Sequence, residues 1–237
     1  AEYYRAVPHR IVPALIENVE GKPVVVASED KRLQQGDILL SVDDKSAPIL
    51  LAGEEALVSG SVQYKRAEAA HRLTMAESNK ARVSLARGSD TLSFVVERKP
   101  ESEVNLYEHT AIQRISGSEE KDTVWYIDLA QVSVAEIEAK ANEFAQAKGI
   151  VFDMRGYPQN GNAKILGYVT DSPLLAPRYL VPQIIYPDHE NVQGYDTNGR
   201  WHVQPTLPRW KGKIVFLTGG GAISQAEDIM SIVEHYK

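Results

Sequence analysis

The sequence predicts an α/β protein, α+β overall, in which a β-rich block is followed by alternating strands and helices. In the first part of the chain, short apolar runs are separated by glycine-containing turns; in the second, such runs alternate with segments of helical composition. The chain has 237 residues, 43% of them hydrophobic, which is enough for one large domain or two modest domains with apolar cores.

The first block extends from about Ile11 to Pro100 and is predicted to be mainly β-structure. Residues 52–75 are mostly helical in composition, although Gly53 and Gly60 weaken that segment. Strands are predicted at residues 24–26, 38–42, 82–87 and 91–98. The last two of these strands are predicted to pair around a turn at 88–90.

The second block begins near Glu101 and is predicted to alternate strands with helices. Ser133 and Glu136 have the spacing of a capping box, which opens a helix predicted to run to Lys148, with Gly149 following its end. A short helix is predicted at 163–170, and a long proline-rich loop at 172–208 is of a kind that is often functional. Strands are predicted at residues 124–129, 150–154 and 214–217.

Composition excludes several classes of function. The net charge is -6 and no basic stripe is present, which argues against nucleic acid as a partner. The sequence contains no run of 18 apolar residues, so no membrane span is predicted, and it shows no signal-peptide pattern. The chain has no cysteine, so disulfides, thiolate zinc sites and a cysteine nucleophile are excluded. The six histidines show no metal-binding spacing, so no metal site is predicted.

Ser224 is the main candidate for a reactive residue. An apolar strand is followed by Gly219, Gly220 and Gly221, and Ser224 then falls in the first turn of a predicted amphipathic helix. The backbone N–H groups of that turn have no partner within the helix, so they could stabilise an oxyanion beside a nucleophilic hydroxyl. A simple helix N-cap is the alternative interpretation, because serine fills that position well.

A segment of the first block resembles a PDZ domain. A short loop leads to Gly36-Asp37, an apolar strand and an acidic turn at Asp43. This resemblance implies a module that binds extended peptides at a sheet edge. The charged loop at 28–32 and the long insertion between Ala52 and Lys80 depart from the family pattern, and an ordinary hairpin is the alternative.

Three later segments, in this order after the PDZ-like block, resemble the tail-specific (C-terminal processing) serine peptidases, in their tricorn-like branch. They are residues 123–129, 148–158 and 220–227. The resemblance covers about 11–237. It implies a PDZ-like domain at 11–100 and a crotonase-like α/β peptidase core at 101–237, preceded by an N-terminal segment at 1–10.

The resemblance also implies roles for individual residues. Ser224 matches the nucleophile, and the backbone N–H of Gln225 is the first expected oxyanion donor. Gly156, in the loop 155–158, stands at the second side of the oxyanion hole. The sequence departs from the family at Gln159 and Asn160, where two glycines are usual.

Three charged residues near these motifs have less direct roles. Asp153 and Arg155, at the end of a predicted strand, are expected to orient the loop rather than take part in the chemistry. Glu227 lies three residues after Ser224 on the same helical face, where it could either orient the site or favour the helix N-terminus.

The general base is not identified by the sequence. Many relatives use a lysine downstream of the serine, and the tricorn-like branch uses a histidine in an Asp-Gly-His motif, which does not occur here. His9 does not match that motif, and His235 is roughly 16 Å from Ser224 along the helix. The remaining histidines that could reach the site only through the fold are His109, His189 and His202. We therefore expect the base to lie outside this chain, which would be an incomplete fragment with negligible peptidase activity by itself.

The function that this interpretation favours is a serine endopeptidase that cleaves unstructured polypeptides through an acyl-enzyme. It needs no cofactor, and its relatives commonly act outside the cytoplasm, which makes a periplasmic or secreted location the expectation.

Two other functions stay open. One is an inactive relative that binds peptides or apolar ligands, similar to the retinoid-binding protein of the eye's interphotoreceptor matrix. The other is a nucleotide-binding oxidoreductase, since 216–221 resembles a dinucleotide-binding turn, although Ser224 stands where that fingerprint needs a glycine.

Overall fold

The computed structural model describes residues 10–104, 106, 111–116, 122–159, 161–187 and 191–237, with the backbone alone at Asn198. The chain divides into two compact units, Ala1–His109 and Thr110–Lys237. Both contain strands and helices, which confirms the predicted mixed α/β class. The functional domains predicted at 11–100 and 101–237 stay a prediction, and the segment 1–10 lies outside the described residues except for Arg10.

The first unit is built on an antiparallel sheet with the strand order β2-β3-β4-β6-β7, with β5 beside β4. Strands β6 and β7 pair from end to end around a tight turn in which Gly88 has a φ of 59°, as the sequence predicted. The strands are β1 (Arg10–Ile11), β2 (Ala14–Val19), β3 (Lys22–Ser28), β4 (Ile38–Val42), β5 (Lys45–Ser46), β6 (Lys80–Arg87), β7 (Asp90–Glu97) and β8 (Lys99–Pro100).

The segment at 52–75 is mostly helical, as predicted, and it divides into two helices near Gly60, one of the two predicted weak points. Helix α1 covers Ala47–Leu57 and helix α2 covers Val62–Arg72. The break contains Gly60 with a φ of 139°, a conformation that other residues rarely adopt. Ser61 then caps α2, because its hydroxyl accepts a hydrogen bond from the Tyr64 N–H at 3.2 Å.

A buried arginine ties the loops of the first unit together. Arg98 is 2% exposed, and its guanidinium donates to the carbonyl oxygens of Thr74 at 2.8 Å and Lys80 at 2.7 Å. It also donates to the Ser78 hydroxyl and to the Asp43 carboxylate. Removing this guanidinium therefore leaves several polar groups without their donor.

We expect Arg98→Met to destabilise the first unit by about 3 kcal/mol, because it breaks a buried charged network. Amide hydrogen exchange of β6 and β7 measures this loss. The control is Arg82→Ala, whose ion pair with Asp44 is 64% and 77% exposed and should contribute about 0.5 kcal/mol or less. Equal effects of the two substitutions would contradict the structural role of Arg98.

The second unit is built on a four-stranded sheet with the order β16-β11-β10-β9. Strands β10, β11 and β16 are parallel, and β9 is antiparallel to β10. Ile127 and Phe152 are fully buried within it. Its strands are β9 (Ile112–Ser116), β10 (Val124–Asp128), β11 (Gly149–Asp153) and β16 (Lys213–Leu217), and helix α5 (Gln225–Tyr236) follows β16.

The helix predicted from Ser133 to Lys148 is interrupted. The capping box of Ser133 and Glu136 is confirmed, but α3 ends after Val134–Ala139 and α4 covers Ala141–Gln146. Gly149 belongs to β11 and is not a helix terminator. A Cβ at Gly149 would lie 2.9 Å from the carbonyl oxygen of Lys213, so close approach between strands explains the glycine.

The segment 172–208 is more ordered than the predicted irregular loop. The two-residue strands β12 (Leu174–Leu175) and β15 (His202–Val203) pair with each other, and β13 (Tyr179–Ile184) forms a hairpin with β14 (Val192–Asn198). The short helix predicted before it is a 3-10 helix at Asn162–Val169. The sequence did not predict this hairpin, because Pro182 stands within β13 and argues against a strand. The strand is also exposed throughout, so it lacks the alternation that marks a half-buried strand.

Candidate functional site

The two sequence motifs that point to chemistry follow adjacent parallel strands. Asp153, the last residue of β11, pairs in register with Leu217, the last residue of β16. The loop at 155–158 and the glycine turn that leads to Ser224 therefore leave the same edge of the sheet. In open α/β sheets this edge, at the carboxyl ends of the strands, is where ligands bind.

Direct proximity confirms that these two segments are neighbours. A Cβ built on Gly219 would lie 3.7 Å from Cγ of Arg155, and one built on Gly221 would lie 3.9 Å from the Arg155 carbonyl oxygen. The glycine turn thus passes over the stem and backbone of Arg155. The structure brings together the loop of Gly156 and the turn that ends at Ser224.

Ser224 has an unusual backbone conformation. Its φ is 54° and its ψ is -117°, a combination that costs energy in any residue with a Cβ. The residue is exposed at the N-cap of α5, and its carbonyl oxygen accepts the N–H of Asp228 at 3.0 Å. A strained strand-to-helix turn that presents a serine is the arrangement of the nucleophile elbow in α/β-hydrolases.

Other helix N-caps of this protein show that capping does not require this strain. Ser61 has φ -64° and ψ 158°, and Ser133 has φ -81° and ψ 157°, both in the extended region. Ser133 is followed by Glu136 in a capping box, and Ser224 by Glu227 at the same spacing. The N-cap alternative therefore accounts for the residue types around Ser224 but not for its backbone conformation.

Glu227 and Gln225 lie in the first turn of α5. The exposed Glu227 carboxylate accepts a hydrogen bond from the Ser224 N–H at 3.0 Å, so it fixes the backbone of the turn. Gln225 is half-buried, and its N–H belongs to the first turn, where backbone donors have no acceptor within the helix. These positions agree with the sequence expectations, while the catalytic roles stay predictions.

Gly156 is held tightly from one side. A Cβ at this position would lie 2.6 Å from the Ala130 Cβ, so only glycine fits without movement. Further along the loop, the Gln159 N–H donates to the Leu129 carbonyl oxygen at 2.9 Å. The backbone donor of Gln159 is therefore engaged within the fold. Asn160 lies outside the described residues.

Asp153 is the electrostatic centre beneath the site. It is 4% exposed and accepts hydrogen bonds from the Tyr126 hydroxyl at 2.6 Å, from the Arg155 N–H at 2.9 Å and from the Arg155 guanidinium at 2.6 Å. Burial opposes ionisation of Asp153, but these hydrogen bonds outweigh it and hold its pKa below the ordinary value. The predicted orienting role of the Asp153–Arg155 pair agrees with this geometry.

Tyr126 was missed by the sequence reasoning. Burial, together with the Asp153 carboxylate, raises the pKa of Tyr126 to about 12, so its hydroxyl stays protonated and donates. The hydrogen bonds that the Arg155 guanidinium donates to Asp153 likewise raise the pKa of Arg155. An available signal was the aspartate at the end of a buried strand, since such a carboxylate needs donors from its neighbours.

A second tyrosine contacts the helix of the candidate site. The Tyr179 hydroxyl, at the start of β13, donates to the Asp228 carboxylate in the first turn of α5. This hydrogen bond, followed by burial, raises the pKa of Tyr179 to about 12. The sequence gave no sign of the contact, because the two residues are far apart in the chain.

The described histidines are not bonded to Ser224. His71 contacts Glu101 at 2.9 Å, and the His235 ring lies against Tyr236. His202 is exposed in β15. The candidates that lie outside the described residues are His9, His109 and His189.

The described ranges contain no group of three or more His, Asp or Glu side chains that could hold a metal ion. They also contain no helix that is both long and apolar enough to cross a bilayer.

The fold is similar to solved structures, although no family model and no curated protein matches the sequence. Two structures of mature CPAF, one of them complexed with lactacystin, match 96% of this chain and 67% of the CPAF chain, with TM-scores of 0.65 and 0.63 and 12% identity. A serine-to-alanine mutant of CPAF matches over the same shares with a TM-score of 0.65 and 11% identity. A photosystem II D1 C-terminal processing protease also matches, with a TM-score of 0.42, 14% identity and coverage of 96% and 58% of the two chains.

The matches to CPAF, together with the sheet order, show a mixed α/β fold of the kind found in CPAF. The chain is similar to CPAF in fold and spans about two thirds of the length of the CPAF chains.

We expect Ser224→Gly to make the second unit more stable than Ser224→Ala by about 1 kcal/mol. Glycine adopts the observed backbone angles without a Cβ clash, and this relief exceeds its larger entropy in the unfolded chain. Urea unfolding followed by tryptophan fluorescence measures the difference, because Trp125, Trp201 and Trp210 all lie in this unit. A more stable alanine variant would contradict the strained conformation.

We expect Asp153→Asn to flatten the acid limb of the stability curve of the second unit. Because the pKa of Asp153 is lowered by folding, its stabilisation is fully present above the unfolded pKa of about 4 and is lost as the pH falls through the folded pKa. The variant should be about 2 kcal/mol less stable at pH 7, and this difference should shrink in acid. The matched control is Asp122→Asn at an exposed position. A constant difference between wild type and Asp153→Asn at all pH values would be the contrary result.

Proposed function

We propose that this chain carries the nucleophile of a serine endopeptidase of the tail-specific type, with Ser224 as the attacking residue. The observation that carries the proposal is the strained backbone of Ser224, which the two relaxed serine caps, Ser61 and Ser133, do not share. Strain of this kind persists where the surrounding structure holds it, and it concentrates at active sites. The fold adds support, because CPAF is a serine protease.

In the proposed reaction, the Ser224 Oγ attacks the carbonyl carbon of a peptide bond, and its proton passes to a general base. The N–H groups of Gln225 and Gly156 hold the oxyanion of the tetrahedral intermediate. Collapse of that intermediate breaks the C–N bond, the base returns the proton to the leaving amine, and an ester to Ser224 remains. Water then hydrolyses the ester. No cofactor takes part in this proposal.

The base is proposed to lie outside the described part of the chain. His71 and His235 make their contacts elsewhere, and His235 is roughly 16 Å from Ser224 along α5. Glu227 is proposed as a positioning residue, because its carboxylate binds the Ser224 N–H.

The first unit is proposed to be a PDZ-like module that recruits extended polypeptides, including C-terminal tails. In the described sheet, β2 is the last strand, and α2 packs beside it, so a peptide could add as a strand between them. One end of this groove is narrowed, since Arg10 exchanges two backbone hydrogen bonds with Ala76 at 3.1 and 3.0 Å.

We also propose that the protein acts outside the cytoplasm. The absence of cysteine is compatible with that location, and the tail-specific family commonly works there. Fractionation of the source cells, followed by immunoblotting with an antibody against this chain, tests the proposal, and we expect the protein outside the cytoplasmic fraction.

The nucleophile can be tested by covalent labelling. We expect a fluorophosphonate probe to label the full-length gene product at Ser224, as seen by mass spectrometry of peptides, and Ser224→Ala to abolish both labelling and cleavage of denatured casein. Ser133→Ala is the matched control, since it removes a relaxed N-cap serine with the same capping-box spacing and should leave both signals intact.

The outcomes separate the competing functions. Casein cleavage that survives in Ser224→Ala would reject Ser224 as the nucleophile. No cleavage and no labelling in either protein would favour a binding protein on a peptidase-like fold. The chain by itself tests where the base lies, since cleavage above that of its own Ser224→Ala variant would place the base within this chain.

A further inference from the structure

The hairpin of β13 and β14 is an exposed two-stranded arm. Every residue of β13, from Tyr179 to Ile184, is exposed, and among the described residues the sheet contains β13 and β14 alone. A two-stranded hairpin is marginally stable in water unless it packs against something else. The exposed arm is therefore a candidate surface for contact with another polypeptide.

The two faces of the arm differ in chemistry. Side chains alternate between the faces along each strand, so the cross-strand pairs place one apolar set on a single face. Its members are Leu180 (59% exposed), Ile184 (36%), Val192 (45%), Tyr195 (59%) and the exposed Pro182.

The opposite face carries Tyr179, Val181, Gln183 and Asp196, so it is mixed rather than apolar. There Gln183 donates to Asp196 across the strands at 2.8 Å, and the Tyr179 hydroxyl donates to Asp228. Asp228 is one helical turn from Ser224 in α5. This anchor places the base of the arm beside the strained serine.

The free edges of the arm are unequal. Pro182 has no N–H, which weakens the outer edge of β13 as a template for another strand. Strand β14 contains no proline, so each of its residues keeps a backbone N–H, and its register with β13 shifts between Gln183 and Ile184. An extended chain can therefore add to β14 and place alternate side chains on the apolar face.

We propose that this arm binds the polypeptide substrate, as an added strand on β14 whose large apolar side chains pack beside Val192 and Tyr195 and continue the apolar face. The inference rests on the proposed peptidase function and adds to it the substrate class, which is an extended segment with alternating apolar side chains. A polypeptide substrate is preferred to a second copy of this chain because the Tyr179–Asp228 anchor joins the arm to the helix of Ser224. Unfolded polypeptides expose such segments, whereas folded ones bury them.

The test is a binding measurement that needs no turnover. Fluorescence anisotropy of the chain with a fluorescein-labelled peptide of alternating valine and threonine should show saturable binding. A peptide of equal length with serine in place of valine should bind at least about tenfold more weakly. N-methylation of alternate backbone nitrogens in the first peptide should also abolish binding, because an added strand needs those donors.

Matched variants locate the binding surface. The double variant Val192→Ser with Tyr195→Ser should weaken binding of the valine peptide about tenfold or more, because it removes the apolar contacts that β14 offers to an added strand. Val181→Ser, on β13 and on the opposite face and 45% exposed, should change affinity less than about twofold. Thermal melts of both variants check that the second unit stays folded.

The results separate this inference from the proposed function. Unchanged peptide binding in the double variant would overturn the proposal that the arm binds the substrate, even if Ser224 labelling and casein cleavage are normal. A dimer in sedimentation that dissociates in the double variant, without peptide binding, would also overturn it and make a second copy the occupant. Binding that follows the predicted pattern supports the arm, even if Ser224→Ala shows that the nucleophile was assigned wrongly.

Discussion

The in-register parallel pairing of β11 with β16 is the constraint on which the rest of the site depends. Both strands end at the same level, at Asp153 and Leu217, so the segments that follow must share one edge of the sheet. The close approach of Gly219 and Gly221 to Arg155 shows how tightly those segments fit. A shift of the register by one residue would reverse the face of every side chain in the strand and separate Arg155 from the glycine turn.

A buried carboxylate keeps this edge in place. Asp153 gathers donors from Tyr126 and Arg155, which belong to two different parts of the unit. Such a charge is tolerated in the interior only because its hydrogen bonds are complete. The same hydrogen bonds fix the stem of Arg155, and the glycine turn lies against that stem. The network around Asp153 therefore supports the turn that leads to Ser224.

The second unit has two features that do not stabilise it, which are the strained backbone of Ser224 and the exposed apolar face of the arm. The backbone of Ser224 lies outside the regions that residues with a Cβ prefer, and the arm of β13 and β14 leaves an apolar face in water. Each feature costs free energy in the isolated chain. Both occur around the first turn of α5, which the Tyr179–Asp228 hydrogen bond joins to the arm, and the proposed role in holding and attacking a polypeptide accounts for both.

The sequence by itself determined the features that depend on local chemistry. The capping box at Ser133, the tight turn at Gly88 and the strand–glycine–serine–helix order around Ser224 are visible there because each depends on neighbouring residues. Tertiary structure alone decided the positive φ of Ser224, the Tyr126–Asp153 bond, the interruption of the helix after Ala139 and the hairpin within 172–208. These features arise from contacts between residues far apart in the chain, and local propensity carries no information about such contacts.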